Sequence, residues 1–243
     1  MEAQGRLETR ITRDREWVRQ AQRLRYSVFA GEMGARLPAT SLRIDEDRFD
    51  AHCEHLVVID RAEDRVVATY RILAPDSARR AGGYYSEASF RLELLDVLRD
   101  RMVEVGRACV HPAYRSGNVM LLLWSALTRY LVERGHDYFV GSASIGLEDG
   151  GHAAASIYHQ LCSRYLSPED LRVFPRRRLA LETLNVGKIV QTPPLLKGYL
   201  NMGAWICGEP SWDPEFDCAD FPILLPLARM HSRYARHFLA KAA

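Results

Sequence analysis

The 243-residue sequence predicts an α/β fold, and three observations carry the prediction. Short β-rich runs alternate with longer stretches of helical hydrophobic period. Their order is helix, β-hairpin, strand, helix, strand, helix, as in a sheet covered by helices. The segment "EVGRACVHPAYRSGNVMLLLWSAL" (104–127) passes from strand through a basic turn into an apolar helix, a geometry suited to holding a phosphate.

The elements follow from local pattern. In "REWVRQAQRLRYSVFAGEMG" (15–34), Trp17, Ala21, Leu24, Val28 and Phe29 recur at helical spacing before Gly34. A polar, acidic loop, "RLPATSLRIDEDRFDAHCE", comes next. "HLVVID" and "RVVATYRIL" are strands of a hairpin joined by "RAEDR". "RLELLDVL" reads as a short helix and "RMVEVGRACV" as a strand. "GNVMLLLWSALTRYLVERG" is a helix stopped at Gly135. "DYFVGSAS" is a strand and "GGHAAASIYHQLCSRYL" a helix, which completes a core expected over residues 5–165. Residues 166–243 carry proline punctuation, the basic run "PRRR", two strand-like runs ("WICG", "DFPILL") and a terminal helical pattern in "LARMHSRYARHFL". No flexible linker separates them, so they are expected to pack on the same domain.

Bulk properties exclude several functions. Apolar residues are 47% and charged residues 26%; 33 Lys plus Arg oppose 31 Asp plus Glu, and a net charge of +2 is not that of a general nucleic-acid binder. The basic residues are nearly all arginine, which suits recognition of carboxylate or phosphate and equally reflects coding bias. Five scattered cysteines without C-x-x-C predict a reduced, cytoplasmic protein. The polar N-terminus does not resemble a signal peptide, and the longest apolar run, "VMLLLWSAL", falls well short of a membrane span. "HCEH" places His52 and His55 close together, but without a second matched cluster no metal site is expected.

Residues 102–165 resemble the GCN5-related N-acetyltransferase fold, which implies a mixed sheet flanked by helices, here with a C-terminal elaboration. Over the whole chain, "LRYSVFAGEMGA", "DEDRFDAHCEHLVVID", "VVATYRIL", "EVGRACVHPAYR", "PPLLKGYLNMGA" and "GEPSWDPEFDCADFPILL" resemble successive blocks of the ornithine–acyl-carrier-protein N-acyltransferase family. Acyl-homoserine-lactone synthases share the pattern of the first half more distantly. The resemblance implies transfer of a (3-hydroxy)acyl chain to the α-amine of an amino acid, most simply ornithine, in lyso-ornithine lipid synthesis. It implies no bound cofactor: the donor is acyl-phosphopantetheine on acyl carrier protein. An acyl-homoserine-lactone synthase or a non-catalytic acyl-binding module are the alternatives. The turn's single glycine fits the carrier-protein donor, which presents one phosphodiester where coenzyme A presents a pyrophosphate.

Site residues follow from that chemistry. Glu104 is the expected general base; its alternative is a structural ion pair with Arg107, from which it is separated by an odd spacing unless a bulge intervenes. Tyr158 is the expected acid for the departing thiolate, or else a packed aromatic. Arg107, Val110, Arg115, Ser116 and Gly117 are expected to hold the donor. Arg25 and Arg71, with Arg107 also in reach, could clamp the acceptor carboxylate, while Asp47, Asp50 and Glu54 could meet a cationic side chain. "PRRR" could dock an acidic carrier or anionic lipid, and the terminal helix could touch a membrane surface or simply pack.

Overall fold

The computed structural model describes residues 6–37, 42–115, 118–184, 186 and 190–239. Its centre is an eight-stranded mixed sheet flanked by helices. Chain order is β1 (Leu7–Thr12), α1 (Arg15–Phe29), β2 (Glu54–Asp60), β3 (Arg65–Leu73), α2 (Pro75–Ala81), β4 (Phe90–Arg91), β5 (Met102–Val110), α3 (Val119–Glu133), β6 (Tyr138–Gly146), α4 (His152–Tyr165), β7 (Phe174–Pro175), α5 (Pro194–Met202), β8 (Trp205–Ile206), β9 (Ser211–Asp213), β10 (Cys218–Pro226) and α6 (Ser232–Leu239). "RLELLDVL" folds within a 3-10 helix, Glu93–Arg101.

The main sheet runs β1-β2-β3-β5-β6-β10-β8, with β9 on the other part of β10's edge. The strand β1, absent from the expected pattern, pairs antiparallel with β2 in the polar N-terminal segment. Its partner supplies the order: Leu7 to Thr12 are only partly buried, so the segment shows no apolar run. α1 starts where Asp14 accepts hydrogen bonds from the Glu16 and Trp17 amides, and ends at Phe29, short of the expected Gly34.

Alternation along the strands separates two apolar layers. Val57, Ile59, Val66 and Cys109 face α1, with Ala21, Leu24 and Val28. Leu56, Val58, Tyr70, Val103, Phe139 and Phe221 face the other side, where α3, α4, α5 and α6 cover them. The residues after 166 contribute to the same sheet, because all nine residues of β10 pair with β6.

One discontinuity shapes the molecule. β5 and β6 pair in parallel only from Met102–Tyr138 to Glu104–Val140. Beyond that, β5 remains with β3 and β6 with β10, so the sheet forks. A register shift between Thr69 and Arg71 marks the bulge in β5, and Arg107 takes φ 52°, a conformation costly for a side-chain-bearing residue. At the base of the fork the backbones nearly touch: a Cβ on Gly141 would lie 2.4 Å from the Val105 carbonyl oxygen.

Candidate active site

The fork opens into a cleft of about 390 Å³. Its walls are the end of α1 (Phe29) with Glu32 and Met33, Arg71 and Leu73 of β3, Glu104 to Ala108 of β5, Ser142 and Ser144 of β6, and Asp213, Phe216, Cys218 and Asp220 from the C-terminal third. Glu104 belongs to the last parallel pair, so its carboxylate sits where the strands part. The bulge expected between Glu104 and Arg107 is present, and both residues line the one cleft.

Glu104 is buried and held from the loop after α2. Oε1 accepts from the Ser86 amide (2.7 Å) and hydroxyl (2.5 Å), and Oε2 accepts from the Tyr85 amide (2.6 Å). A carboxylate offers about four acceptor positions, so Oε2 retains one toward the cleft. Burial pushes the Glu104 carboxyl above its ordinary value, against the Ser86 and Tyr85 hydrogen bonds that favour the anion. The group is therefore rigidly aimed and more basic than an exposed glutamate.

Two arginines stand beside it. Arg71 donates through Nη1 to Asp47 (2.7 Å) and Asp50 (2.9 Å). Arg107 donates to the Tyr85 hydroxyl (3.0 Å) and to Asp47 (3.3 Å). Both guanidinium groups lie near the Tyr85 ring, 5.3 and 4.9 Å from its centroid, and Arg107 also stacks on Phe216 at 4.9 Å. Arg107, expected with the donor residues, thus stands with Arg71 around Tyr85.

The structure separates the other expected acceptor residues from the cleft. Arg25 is fully buried, bonded to Asp45 (2.7 Å) and Asp50 (2.7 Å), and does not line the cavity. Asp47 and Asp50 are occupied by Arg71, Arg107 and Arg25. Asp45, Asp47 and Asp50 thus form an ion network with the arginines and do not line the cleft, while Glu46, at the surface, pairs with Arg19 at 3.4 Å. Glu54 lies elsewhere, accepting from the Tyr130 hydroxyl. His55 is buried against Asp50.

On the donor side, Val110 ends β5, and its carbonyl accepts from Arg115 Nε at 3.1 Å. Arg115 is half exposed and ion-paired with Glu32 at 2.8 Å. Ser116 and Gly117 lie outside the described residues. Tyr158 lies on α4, half-buried, its ring 6.4 Å from that of Phe221. It packs on the helix-covered face of the sheet and does not line the cleft. The run 175–178 spends Arg178 on Glu209 and Arg176 on the Glu87 carbonyl. In α6, Phe238 is buried and Tyr234 partly so, and the helix packs on α3.

Sequence reasoning missed Tyr85, Ser86, Asp213 and Asp220 as cleft residues. "GGYYSE" has no chemical signature, since it contributes two backbone amides and the Ser86 hydroxyl to Glu104, and the Tyr85 ring to the arginines, none of which a local pattern marks. Asp220 did leave a signal: it is a lone carboxylate inside "CADFPILL", every residue of which is buried.

A mixed sheet forked between its parallel strands, with a buried carboxylate and two arginines at the fork, is the arrangement of an acyltransferase that acts on an amine. Residues 24–125 match the acetyltransferase (GNAT) domain family. The chain is 36% identical over 98% of its length to the L-ornithine N(alpha)-acyltransferase of Brucella abortus, covering 90% of that protein. It is 34% identical over 98% of its length to that of Agrobacterium fabrum, covering 87% of it. It belongs to the L-ornithine N(alpha)-acyltransferase family. Solved structures share its fold: the acyl-homoserine-lactone synthase LasI (TM-score 0.55, 13% identity, 96% of this chain and 95% of that one) and FeeM, an N-acyl amino acid synthase from uncultured soil microbes (0.53, 12%, 98% and 97%). Among the described residues no helix is long and apolar enough to cross a membrane.

Proposed function

We propose that this protein moves an acyl chain from acyl-phosphopantetheine on acyl carrier protein to the α-amine of ornithine. The observation that carries the reading is Glu104 at the fork with Arg71 and Arg107 in the same cleft. The arginines hold the acceptor carboxylate, and the thioester enters between β5 and β6. Glu104 removes a proton from the α-ammonium, directly or through a water, as the amine attacks the thioester carbonyl. The tetrahedral intermediate then expels the pantetheine thiolate, leaving the amide. The intermediate's second nitrogen proton passes to the departing thiolate, directly or through a water, so that pantetheine leaves as the thiol; Tyr158, which burial keeps protonated, is a donor to it only for a pantetheine arm that passes α4. Arg115, with Ser116 and the amide of Gly117, receives the donor phosphate by exchanging its contact with Glu32. A carrier-borne donor and a lyso-lipid product put the reaction in the cytoplasm, with product delivered to the membrane surface.

Acceptor choice rests on the relatives, which are named for ornithine and match at 34–36% over nearly the whole chain, against 13% for LasI. The test is mass spectrometry of lipid extracts from expressing cells, with kcat/KM compared for one acyl chain on carrier protein and on coenzyme A. N-acyl ornithine and a strong preference for the carrier are expected. An acyl-homoserine lactone, or a different head group, refutes the acceptor; equal use of coenzyme A refutes the donor.

A further inference from the structure

We propose that Asp220, supported by Asp213, is the counter-charge that selects an acceptor with a cationic side chain, an assignment that rests on ornithine being the acceptor. The acids expected to do this, Asp47 and Asp50, are neutralised by arginines. Asp220 is the opposite case. It is 5% exposed, lines the cleft, and forms no ion pair among the described residues. Ser144 donates to Oδ1 at 2.6 Å and the Cys218 thiol lies 3.7 Å from the same oxygen, so Oδ2 is left without a partner among the described residues. Asp213 pairs across β9–β10 with Cys218, two residues before Asp220, and among the described residues its carboxylate binds only the amides of Glu215 and Phe216. Of the other carboxylates in the wall, Glu32 is held by Arg115, and Glu148 is exposed.

A sequestered anion without an ion pair is costly, and the cost shows: burial lifts the Asp220 carboxyl to about 6, with Asp213 adding repulsion that the Ser144 and Cys218 hydrogen bonds and the Arg107 charge across the cleft do not offset. A ligand ammonium would supply the missing charge.

Glu104 and Asp220 line the one cleft from the two strands that flank β6. Asp220 stands opposite Ser144 and Glu104 opposite Val140, four residues earlier, so their backbones are offset by about 13 Å along β6 at ~3.3 Å per residue and by two strand spacings of about 4.8 Å across it. An extended ornithine with a hydrogen bond at each nitrogen spans roughly 12 Å, and the two carboxylates, extending from their strands into the cleft, narrow the gap it must bridge. An acceptor held by its carboxylate at Arg71 and Arg107, with its α-amine at Glu104, would turn its side chain toward Asp220.

The test uses L-ornithine and L-norvaline, the same carbon skeleton without the side-chain ammonium. Wild type should prefer ornithine strongly. In Asp220→Asn the ornithine-to-norvaline ratio of kcat/KM should fall about 10- to 100-fold, mainly through the ornithine KM. Removing the unpaired charge should also raise the melting temperature of the free protein and diminish its further rise on adding ornithine. If Asp220→Asn does not fold, Asp213→Asn is read by the same ratio, which should again fall. Wild type that acylates ornithine while the variants keep its preference overturns this assignment and leaves the proposed function standing. Wild type that acylates norvaline as well as ornithine likewise overturns this assignment alone, and wild type that acylates neither overturns both.

Discussion

Replacing Asp50 by Asn separates scaffold from substrate contact, because the buried network makes Asp50 structural. Its carboxylate lies 2.7 Å from Arg25 Nη2 and 2.9 Å from Arg71 Nη1, with side-chain exposures of 4, 0 and 4% for Asp50, Arg25 and Arg71. Burial alone would raise the Asp50 carboxyl; the two guanidinium charges prevail and hold it well below the usual carboxylate range. Opposite unit charges ~4 Å apart attract by roughly 4 kcal/mol at an effective dielectric near 20, and Asp50 makes two such contacts. Much of that gain is offset by desolvation of the carboxylate, which Asn no longer incurs. What remains is a pair of buried arginines short of one anion, a defect costing about 3–5 kcal/mol. Against a total stability of about 5–15 kcal/mol, the midpoint of urea unfolding should drop sharply. Activity per folded molecule should fall by the same factor on ornithine and norvaline, since no substrate charge meets Asp50. A loss under about 1 kcal/mol, or a defect confined to ornithine, refutes the reasoning.

Two further perturbations test the site and its support. Glu104→Gln should lower kcat by roughly 10²–10⁴-fold and abolish the acidic limb of the pH–rate profile; a variant retaining both rate and profile removes the general base. It should also lose some stability, because the new NH₂ must face a backbone N–H of Tyr85 or Ser86. His55 makes stability fall in acid: burial, aided by the Arg25 charge, lowers its pKa to about 4, while in the unfolded chain it is near 6.5. The unfolded state then binds the extra proton between those values, so stability drops as pH falls from about 6.5 to 4, by up to ~3 kcal/mol. Urea unfolding of His55→Gln across that window should show a shallower loss; an unchanged slope would assign the loss to other groups.

The fold was legible where elements carry their own pattern. The α3 helix has apolar period and a stop at Gly135, and the β2–β3 hairpin has two β-branched runs around a polar turn. Strand β1 was not legible, because its order comes from the β2 edge and not from burial of its own side chains. Glu104 and Arg71 could be singled out, being charges inside apolar strands. The roles within the 45–54 loop could not: spacing reveals a dense acidic patch, but whether it faces substrate or arginine depends on how the loop folds over β3. Asp220 carried the same mark as Glu104, but its place in the cleft was hidden by distance, since nothing local links position 220 to position 104.

That distance bears on how the enzyme comes into being. β10 lies beside β6 with Cys218 opposite Gly146, so the cleft's second wall is the product of a long-range closure, a class of contact that forms late. A chain still being synthesised, or one cut before residue 218, holds Glu104 and both cleft arginines yet lacks Asp213 and Asp220 as a placed pair. The residues proposed to carry the proton and the acceptor carboxylate therefore precede those proposed to choose the side chain, and closure of β10 on β6 joins them.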